Sequence, residues 1–375
     1  MIAVLGAYGA VGRAAAAELT RTGAEPVRVG GRDPERLGAT ARELGAEPYP
    51  VDLTDPDALA GFCTGASVVV NGAGPAHRVL DTVARAAAAA GSHYVDPAGD
   101  DDLAARVAAS YPEGADRAAV LSAGMLPGLS GLLPRHVAAG FDAADRLHAY
   151  LGGRSALTPA AAADFLLSAA ATEGKPLTGW SGGHRALRPL REVELPFFPG
   201  RVTATPHLTP EIERVARALG LAEAHWFTVF VGEQATALLA RHTAGAATGS
   251  DDPVAAFGRA VGVDLAGHDP YQVLACQIEG TTGDRREVRT LTLRVDDGYA
   301  LSGTTAAFTA TQAAAGRIGG GTAHLAAVAD PAAAVAWLSD SPVVRTLTVV
   351  DGLPMIEDRL RAGEDAAGLF EDGEL

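Results

Sequence analysis

Three glycines near the amino end have the spacing of a phosphate-binding turn. Gly6, Gly9 and Gly12 follow the apolar run 2–5, and a helical pattern follows over 13–19. Glycines permit a tight turn, and the N–H groups of a helix start attract a pyrophosphate. This order predicts a site for a nicotinamide or flavin dinucleotide, formed by Gly6, Tyr8, Gly9, Ala10, Val11 and Gly12. Because G-x-x-G-x-x-G departs from the usual G-x-G-x-x-G, a plain glycine turn is the alternative.

The end of the second predicted strand distinguishes NADP(H) from NAD(H). NAD sites usually place Asp or Glu there, where it accepts a hydrogen bond from the ribose 2′-hydroxyl. Here the strand 26–29 ends in Gly30-Gly31, and Arg32 follows with a planar donor fork suited to a 2′-phosphate. We therefore predict NADP(H), bound at this end by Arg32 and Asp33. In the alternative, Asp33 caps a helix that opens at Pro34, and Arg32 is a solvated loop residue.

Two further predicted strands end in residues that face the same crevice. Ligands of parallel sheets lie beyond the carboxyl ends of the strands. We therefore expect Asp52 and Leu53 to meet the adenine. The ribose and nicotinamide side is assigned to Asn71, Ala73, Gly74 and Pro75. Local turn chemistry is the alternative for each of them, since Asp, Asn, Gly and Pro commonly follow strands.

Four residues are candidates for proton donation or substrate binding. His77 opens a helix near the expected nicotinamide, with capping or simple exposure as the alternative. Asp96 and Asp100 follow a strand that faces the crevice and are predicted to orient an amine. For both, capping of the helix 101–110 is the alternative. His207 lies in a proline-flanked predicted loop of the second domain, from which it can reach the cleft.

Other chemistry is less favoured by the sequence. The cationic run 184–191 either clamps an anionic substrate or is a solvated loop. The sequence offers no visible Ser-His-Asp set, no metal-ligand spacing and no Tyr-x-x-x-Lys pair, so no metal site is predicted. Tyr94 is expected to point into the sheet. Cys63 and Cys276 lie far apart and are predicted to be reduced, buried thiols.

Composition sets the outer limits of function. With 375 residues the chain has room for two domains. A net charge of −15 argues against nucleic acid as a partner, because phosphate binding requires clustered Lys and Arg. The apolar runs are too short to span a membrane, and a core strand at Ile2 leaves no room for a signal peptide. We expect a cytoplasmic enzyme with a small-molecule substrate.

The order of the predicted strands and helices divides the chain into domains. Strands alternate with helices over 1–126, which predicts a doubly wound parallel sheet, the Rossmann form of the α/β class. Strands then follow one another more directly, so 127–303 is predicted to be a second domain, of the α+β class, on a largely antiparallel sheet. Residues 304–361 are predicted to return and complete the Rossmann domain. An acidic, glycine-rich tail, 362–375, is expected to be loose.

Several of these segments together resemble the saccharopine dehydrogenase-like reductases. They are the glycine turn 6–12, the turn 31–33, the strand ends 71–75 and 92–100, and the helix 298–315. The resemblance implies a Rossmann domain completed by a carboxyl-terminal segment, a dimerisation domain with an antiparallel sheet, and NADPH. It also implies a homodimer. The best-known members of the family reduce imines formed between an aldehyde and an amino acid.

Two departures from the family pattern bear on the substrate. In the family pattern an acidic residue precedes the Pro-Gly turn, but this chain has Leu126 there. The family usually has Glu where this chain has Asp100. The lost carboxylate suggests a different substrate and the same reaction, because a protonated imine arrives already activated and needs little acid catalysis. We predict an NADPH-dependent reductase of a C=N bond in a small biosynthetic substrate. The alternatives are a ketone or enoyl reductase and a non-catalytic, nucleotide-sensing regulator.

Overall fold

The computed structural model describes residues 1–23, 25–159, 161–163, 166, 175–243 and 252–364. The chain divides into two compact units. Unit 1 comprises Met1–Leu132 and Tyr299–Val343, and unit 2 comprises Leu133–Gly298 and Val344–Leu375.

Regular elements cover most of the described residues. The strands are β1 (Ile2–Leu5), β2 (Val27–Gly31), β3 (Glu47–Pro50), β4 (Val68–Asn71), β5 (His93–Val95), β6 (Ala118–Leu121), β7 (Ala143–Arg154), β8 (Lys175–Pro176), β9 (Thr178–Trp180), β10 (His184–Ala186), β11 (Leu190–Glu194), β12 (Arg201–Leu208), β13 (Glu223–Phe230), β14 (Tyr271–Thr282), β15 (Arg285–Val295), β16 (Gly321–His324) and β17 (Val344–Asp351). The helices are α1 (Ala10–Thr22), α2 (Pro34–Leu44), α3 (Pro56–Cys63), α4 (Ala76–Val79), α5 (Thr82–Ala89), α6 (Asp101–Val107), α7 (Leu129–Ala138), α8 (Pro210–Leu219), α9 (Glu233–Thr243), α10 (Pro253–Leu265), α11 (Gly298–Ala314), α12 (Leu325–Val328), α13 (Pro331–Ser339) and α14 (Ile356–Arg361).

Unit 1 is built on a parallel sheet. Within the described residues seven strands pair in the order β16-β6-β5-β4-β1-β2-β3. Every residue of β1, β4 and β6 is buried, as expected for parallel strands that are covered on both faces. The long helix α11 returns the chain to this unit, and β16 extends the sheet beside β6. The predicted doubly wound α/β sheet is confirmed.

Local capping explains where several helices begin. Asp33 and Asp55 each accept two backbone N–H groups at the start of α2 and α3, and a proline follows each of them. The third strand is displaced from its predicted position, since β3 ends at Pro50. Asp52 bends the chain two residues later, because its carboxylate accepts hydrogen bonds from the backbone N–H and the hydroxyl of Thr54.

Unit 2 is built on a mixed, mainly antiparallel sheet. Its strands pair in the order β10-β9-β13-β7-β14-β15-β17, and β12 connects β8 and β11 to β13. Strands β7 and β13 run parallel, whereas the other described pairs of this sheet are antiparallel. Strands β14 and β15 form a long hairpin, which turns at Gly283 with φ +60°. The second α+β fold is therefore also confirmed.

The carboxyl-terminal part differs from the predicted division. Residues 344–361 do not complete the Rossmann sheet, because β17 pairs with β15 and α14 follows it in unit 2. The predicted loose tail, 362–375, lies outside the described residues from residue 365 onward. Among the residues that the structure describes, no helix is long and apolar enough to cross a bilayer.

Candidate functional site

The glycine turn after β1 packs backbone directly against backbone. Gly6 has φ +72°, and a Cβ built on it would lie 2.5 Å from the carbonyl oxygen of Gly72. A Cβ on Gly12 would meet the carbonyl oxygen of Gly6, and one on Gly72 would lie 2.7 Å from Gly12 Cα. Side chains at these positions would force β1, α1 and the loop after β4 apart. The glycines therefore set the close approach that a pyrophosphate site requires.

The start of α1 presents its N–H groups without competition from a side chain. Gly9 occupies the N-cap position in an extended conformation and makes no side-chain capping bond. The following residues Ala10 and Val11 are small, and the helix runs for 13 residues. A helix start of this kind carries partial positive charge and unsatisfied donors. Its donor set fits the pyrophosphate of a dinucleotide.

Tyr8 occupies the place where an NAD site would carry its acid. A Cβ on Gly31, the last residue of β2, would collide with the Tyr8 ring. The Tyr8 hydroxyl accepts hydrogen bonds from the backbone N–H of Arg32 at 3.2 Å and of Asp33 at 3.3 Å. An acidic side chain at position 31 therefore has no room. The geometry supports the reasoning that favoured NADP(H) over NAD(H).

Two guanidiniums flank this strand end. Arg32 is exposed, and Arg36 in the first turn of α2 lies 4.6 Å from the centroid of the Tyr8 ring. Sequence reasoning missed Arg36, although its spacing of four residues from Arg32 at a helix start was a usable signal. Asp33 caps α2 through the N–H groups of Glu35 and Arg36, which confirms the capping alternative. Because Asp33 engages these donors, a 2′-phosphate here depends on the arginine side chains.

The residues on the predicted adenine side are less specific for a nucleotide than those of the glycine turn. The pKa of Asp52 lies below its ordinary value, chiefly because the Thr54 backbone and hydroxyl donate to it, with a further contribution from the charge of Arg32. Leu53 is partly buried and packs against the core of unit 1. Both residues lie beyond β3, at the predicted edge of the sheet.

Asn71, Tyr94 and Asp96 form a buried network at the ends of β4 and β5. The Tyr94 hydroxyl donates to Asp96 Oδ2 at 2.5 Å, and Asn71 Nδ2 donates to the same oxygen at 3.0 Å. Asp96 Oδ1 accepts the Ala98 N–H at 3.0 Å, and Asn71 Oδ1 accepts the Ala73 N–H at 3.2 Å. Tyr94 therefore points into the sheet, as predicted. The network fixes the two loops that line the predicted nicotinamide side.

Burial dominates the electrostatics of this network. Burial raises the pKa of Asp96 above its ordinary value, although Tyr94 and Asn71 donate to the carboxylate. Burial, reinforced by the charge of Asp96, also raises the pKa of Tyr94 well above its usual range. Since both carboxylate oxygens accept hydrogen bonds from the protein, Asp96 holds loops in place in this structure.

The other predicted catalytic residues lie in different surroundings. Asp100 is exposed and caps α6 by accepting the Leu103 N–H at 2.8 Å, so the capping alternative is confirmed for it. His77 is exposed on the short helix α4, which follows Pro75. His207 belongs to unit 2 and lies in β12 opposite Pro176, where a loop had been predicted. Burial lowers the pKa of His207.

A hydrogen-bonded series of Ser, His and Asp side chains lies at the sheet edge formed by β6 and β16. The sequence did not reveal it. Ser122 Oγ is 2.8 Å from His324 Nδ1, and His324 Nε2 is 3.0 Å from Asp101 Oδ1. Ser122 has φ +53°, is 1% exposed and also donates to the Gly99 carbonyl at 3.0 Å. A substrate carbonyl has no access to so buried a hydroxyl. These three hydrogen-bonded side chains therefore hold the edge of the sheet in place and are not a hydrolytic triad.

The remaining sequence features are structural. His184 in the cationic run lies on the exposed strand β10, with its Nε2 2.8 Å from Glu213, which agrees with the solvated alternative. Burial raises the pKa of Cys63 to about 11 and that of Cys276 to about 12. Both are free, buried thiols, as predicted.

The glycine turn, the uncapped start of α1 and the basic end of β2 define unit 1 as the dinucleotide-binding Rossmann domain of an oxidoreductase. Residues 2–122 match the family model for the saccharopine dehydrogenase NADP binding domain. Residues 2–122 are therefore an NADP-binding domain of the saccharopine dehydrogenase kind, and the cofactor of this domain is NADP(H). The resemblance proposed from the sequence is confirmed for this domain.

Two solved structures align with this chain at low identity, and the first of them shows the same fold. Apo saccharopine dehydrogenase (L-Glu forming) from Saccharomyces cerevisiae aligns with a TM-score of 0.65 and 14% identity, covering 93% of this chain and 99% of that one. An engineered D-amino acid dehydrogenase bound to NADP⁺ aligns at 15% identity and a TM-score of 0.49, covering 96% of this chain and 98% of that one. A comparison with curated protein sequences gives no significant match.

Proposed function

We propose that the protein is an NADPH-dependent reductase that transfers a hydride to the C=N bond of a small imine. The observation that carries the proposal is that Asp96 and Asp100, the acids at the strand ends, are both engaged in structural hydrogen bonds. A ketone needs a proton donor in the transition state, whereas a protonated imine already carries its proton. The similarity in fold to a saccharopine dehydrogenase supports the same reaction class.

Residues of unit 1 hold the cofactor in this proposal. The turn from Gly6 to Gly12 and the start of α1 bind the pyrophosphate, and Arg32 with Arg36 neutralises the 2′-phosphate. Bound NADPH supplies the hydride from C4 of its nicotinamide. Asn71 keeps the loop 72–75 beside that ring by accepting the N–H of Ala73. Tyr94 and Asp96 act as positioning residues behind this loop.

His77 is the proposed contact to the substrate from this loop. It lies in α4, just after the turn Gly74-Pro75, and is exposed. It can therefore bind a substrate carboxylate or donate a proton to the substrate. A His77→Gln variant is expected to raise KM or lower kcat and to leave NADPH affinity unchanged. His207 stays a predicted contact from unit 2. A cytoplasmic homodimer is part of the proposal, and light scattering of the purified protein tests the dimer.

A substrate panel tests the reaction. Purified protein is mixed with NADPH and with imines formed from aldehydes and amino acids, and then with matched ketones and enoyl compounds. We expect NADPH oxidation with imines. With NADPH deuterated at C4, the label should appear on the former imine carbon. A preference for ketones or enoyl compounds would contradict the proposal, and tight NADPH binding without turnover across the panel would favour a nucleotide-sensing regulator.

A cofactor-site variant provides the matched control. Gly12→Ala places a Cβ against the Gly6 carbonyl oxygen and should abolish both NADPH binding and turnover. Gly38→Ala is the comparison, because a Cβ on this glycine in α2 meets no atom within 4 Å. Loss of turnover in the first variant alone ties the reaction to the glycine turn.

A further inference from the structure

Unit 2 contains a buried polar cluster that takes no part in the proposed function. We name it the His–Glu cluster, and it consists of His148, Glu223, His225 and Glu357. The parallel register of β7 and β13 pairs His148 with His225 and Arg146 with Glu223, so these side chains lie next to one another on one face of the sheet. Glu357 reaches them from the first turn of α14.

Each carboxylate of the cluster faces both imidazoles. The two rings stack with centroids 4.7 Å apart and planes inclined by 8°. Glu357 Oε2 lies 2.7 Å from His225 Nδ1 and 3.3 Å from His148 Nδ1. Glu223 faces the other edge, with Oε1 2.6 Å from His148 Nε2 and Oε2 3.7 Å from His225 Nε2. One acid therefore meets the Nδ1 atoms and the other meets the Nε2 atoms.

Among the described residues, one buried nitrogen on each imidazole lacks a hydrogen-bond partner, and on His148 this is Nδ1. The side chains of His148 and Glu357 are 1% exposed and that of His225 is 7% exposed. His225 Nε2 has no hydrogen-bond partner in the described part of the chain. Because Glu357 accepts the Nδ1–H of His225, the neutral ring turns a lone pair at Nε2 toward Glu223. A lone pair that faces a carboxylate is repulsive unless a cation lies between them.

The surroundings leave the cluster with surplus negative charge. The guanidiniums of Arg146 and Arg361 contact it. Four carboxylates contact these guanidiniums or the two imidazoles, namely those of Glu223, Glu279, Glu357 and Asp358. The adjoining ion pair of Arg286 with Asp145 adds no net charge. With neutral imidazoles, this group of side chains carries two more negative than positive charges, and solvent screens part of the surplus at Asp358, which is 51% exposed. Either two protons on the imidazoles or one divalent cation would balance this surplus charge.

We propose that His148 and His225, through their Nε2 atoms, and the Glu223 carboxylate bind a divalent transition metal ion of the zinc type. Two imidazoles and one carboxylate are a donor set for zinc and its neighbours, and imidazoles disfavour magnesium and calcium. The three ligand atoms lie within 4.8 Å of one another. Zinc holds such ligand atoms at about 2.0–2.2 Å, so binding requires the three side chains to close around the ion.

Glu357 completes the arrangement as the outer acceptor. A metal-bound histidine commonly donates its other ring N–H to a carboxylate, which fixes the tautomer and the orientation of the ring. Glu357 stands in that position for His225, whereas its contact with His148 Nδ1 at 3.3 Å is not aligned as a hydrogen bond. The ion would join β7 and β13 and, through Glu357, hold α14 against the sheet. The inference is independent of the proposed hydride transfer, because the cluster lies in unit 2 and the cofactor-binding residues lie in unit 1.

Metal titration of the tag-free, full-length protein tests the site. The protein is treated with a chelator, dialysed and titrated with zinc chloride by calorimetry, and its metal content is measured after desalting. We expect one zinc ion per chain and a zinc-dependent rise of the melting temperature. Cobalt(II) in place of zinc should give the visible absorption bands of a low-symmetry site with nitrogen and oxygen ligands.

Three variants separate this site from incidental binding. His225→Gln should weaken zinc binding by about a hundredfold or more, and Glu357→Gln by about 10–100-fold. His184→Gln is the matched control, because its imidazole also faces a carboxylate, that of Glu213, but lies on the surface. Its zinc affinity should equal that of the wild type. Circular dichroism and NADPH affinity verify that each variant is folded.

Two results would overturn the proposal. One is uptake of clearly less than one zinc ion per chain by the folded wild-type protein, which would mean that protons balance the cluster. The other is zinc affinity in Glu357→Gln and His225→Gln that equals that of His184→Gln. If His225→Gln does not fold, the comparison of Glu357→Gln with His184→Gln decides alone.

Discussion

Removing one hydroxyl from the core of unit 1 should destabilise the protein in a pH-dependent way. Tyr94 is 0% exposed, and its hydroxyl donates to Asp96 Oδ2 at 2.5 Å. Tyr94→Phe deletes this donor and preserves the shape of the side chain, so little is lost by cavity formation. A hydrogen bond to a charged group contributes about 1.5–3 kcal/mol. Asn71 Nδ2 keeps Asp96 as its partner, and we expect a loss of about 2–3 kcal/mol at neutral pH.

The pH dependence follows from the sign of the Asp96 shift. The pKa of Asp96 is raised in the folded protein, so the stability of unit 1 is highest below the unfolded value of about 3.9 and falls as pH rises through the folded value. The Tyr94 hydrogen bond lowers this pKa and thus limits the loss. The difference in stability between the variant and the wild type should therefore be small at a pH where Asp96 is protonated in the folded protein and larger where it is ionised.

Calorimetry or thermal circular dichroism of the cofactor-free protein measures the effect. A change of 2–3 kcal/mol corresponds to a shift in Tm of about 5–10 °C in a unit of this size. Tyr111→Phe is the control, because this buried hydroxyl contacts the carbonyl oxygens of Ser92 and Ala84 at 3.1 and 3.4 Å and no carboxylate. The control should lose about 1 kcal/mol at every pH. A Tyr94→Phe protein with an unchanged Tm, or with a loss as independent of pH as that of the control, would refute the reasoning.

Three further changes have defined outcomes. Arg32→Ala should weaken NADPH binding by about tenfold or more in fluorescence titrations and leave NADH unaffected, because only NADPH carries the 2′-phosphate; equal weakening would contradict the assignment. Gly31→Asp should lower NADPH affinity without creating NADH affinity, since Tyr8 fills the space of the new side chain; gained NADH binding would argue against this. The pKa of Glu223 is depressed to about 2, so its contribution to stability is present above about pH 4.3 and is lost as pH falls toward 2. Glu223→Gln should therefore flatten the acid denaturation curve in that window, and an unaltered curve would disprove the link.

Local signals in the sequence were enough for the cofactor side. The glycine turn, the helix starts at Pro34 and Pro56 and the apolar strand β4 depend on neighbours within a few residues, and each was predictable. Asp33 and Asp100 were ambiguous for the same reason, because a capping aspartate and a ligand-binding aspartate have the same local sequence. Only the contacts in the structure separate the two roles.

The remaining features depend on pairing between residues far apart in the sequence, so local patterns could not predict them. His148 and His225 meet because β7 and β13 are parallel neighbours, a pairing that alternating strand patterns do not specify. Ser122 and His324 are 202 residues apart and meet through β16. The place of β17 beside β15 likewise depends on a sheet edge that no local pattern marks. Clusters assembled across the chain in this way are not visible as sequence motifs.

The contact between Tyr8 and Gly31 also bears on how this protein can evolve. A carboxylate introduced at position 31 meets the aromatic ring, and loss of that ring alone removes the acceptor shared by the N–H groups of Arg32 and Asp33. We therefore expect an exchange of one coenzyme for the other to require changes at both positions. Relatives that share this preference should keep Tyr8 and Gly31 as a pair.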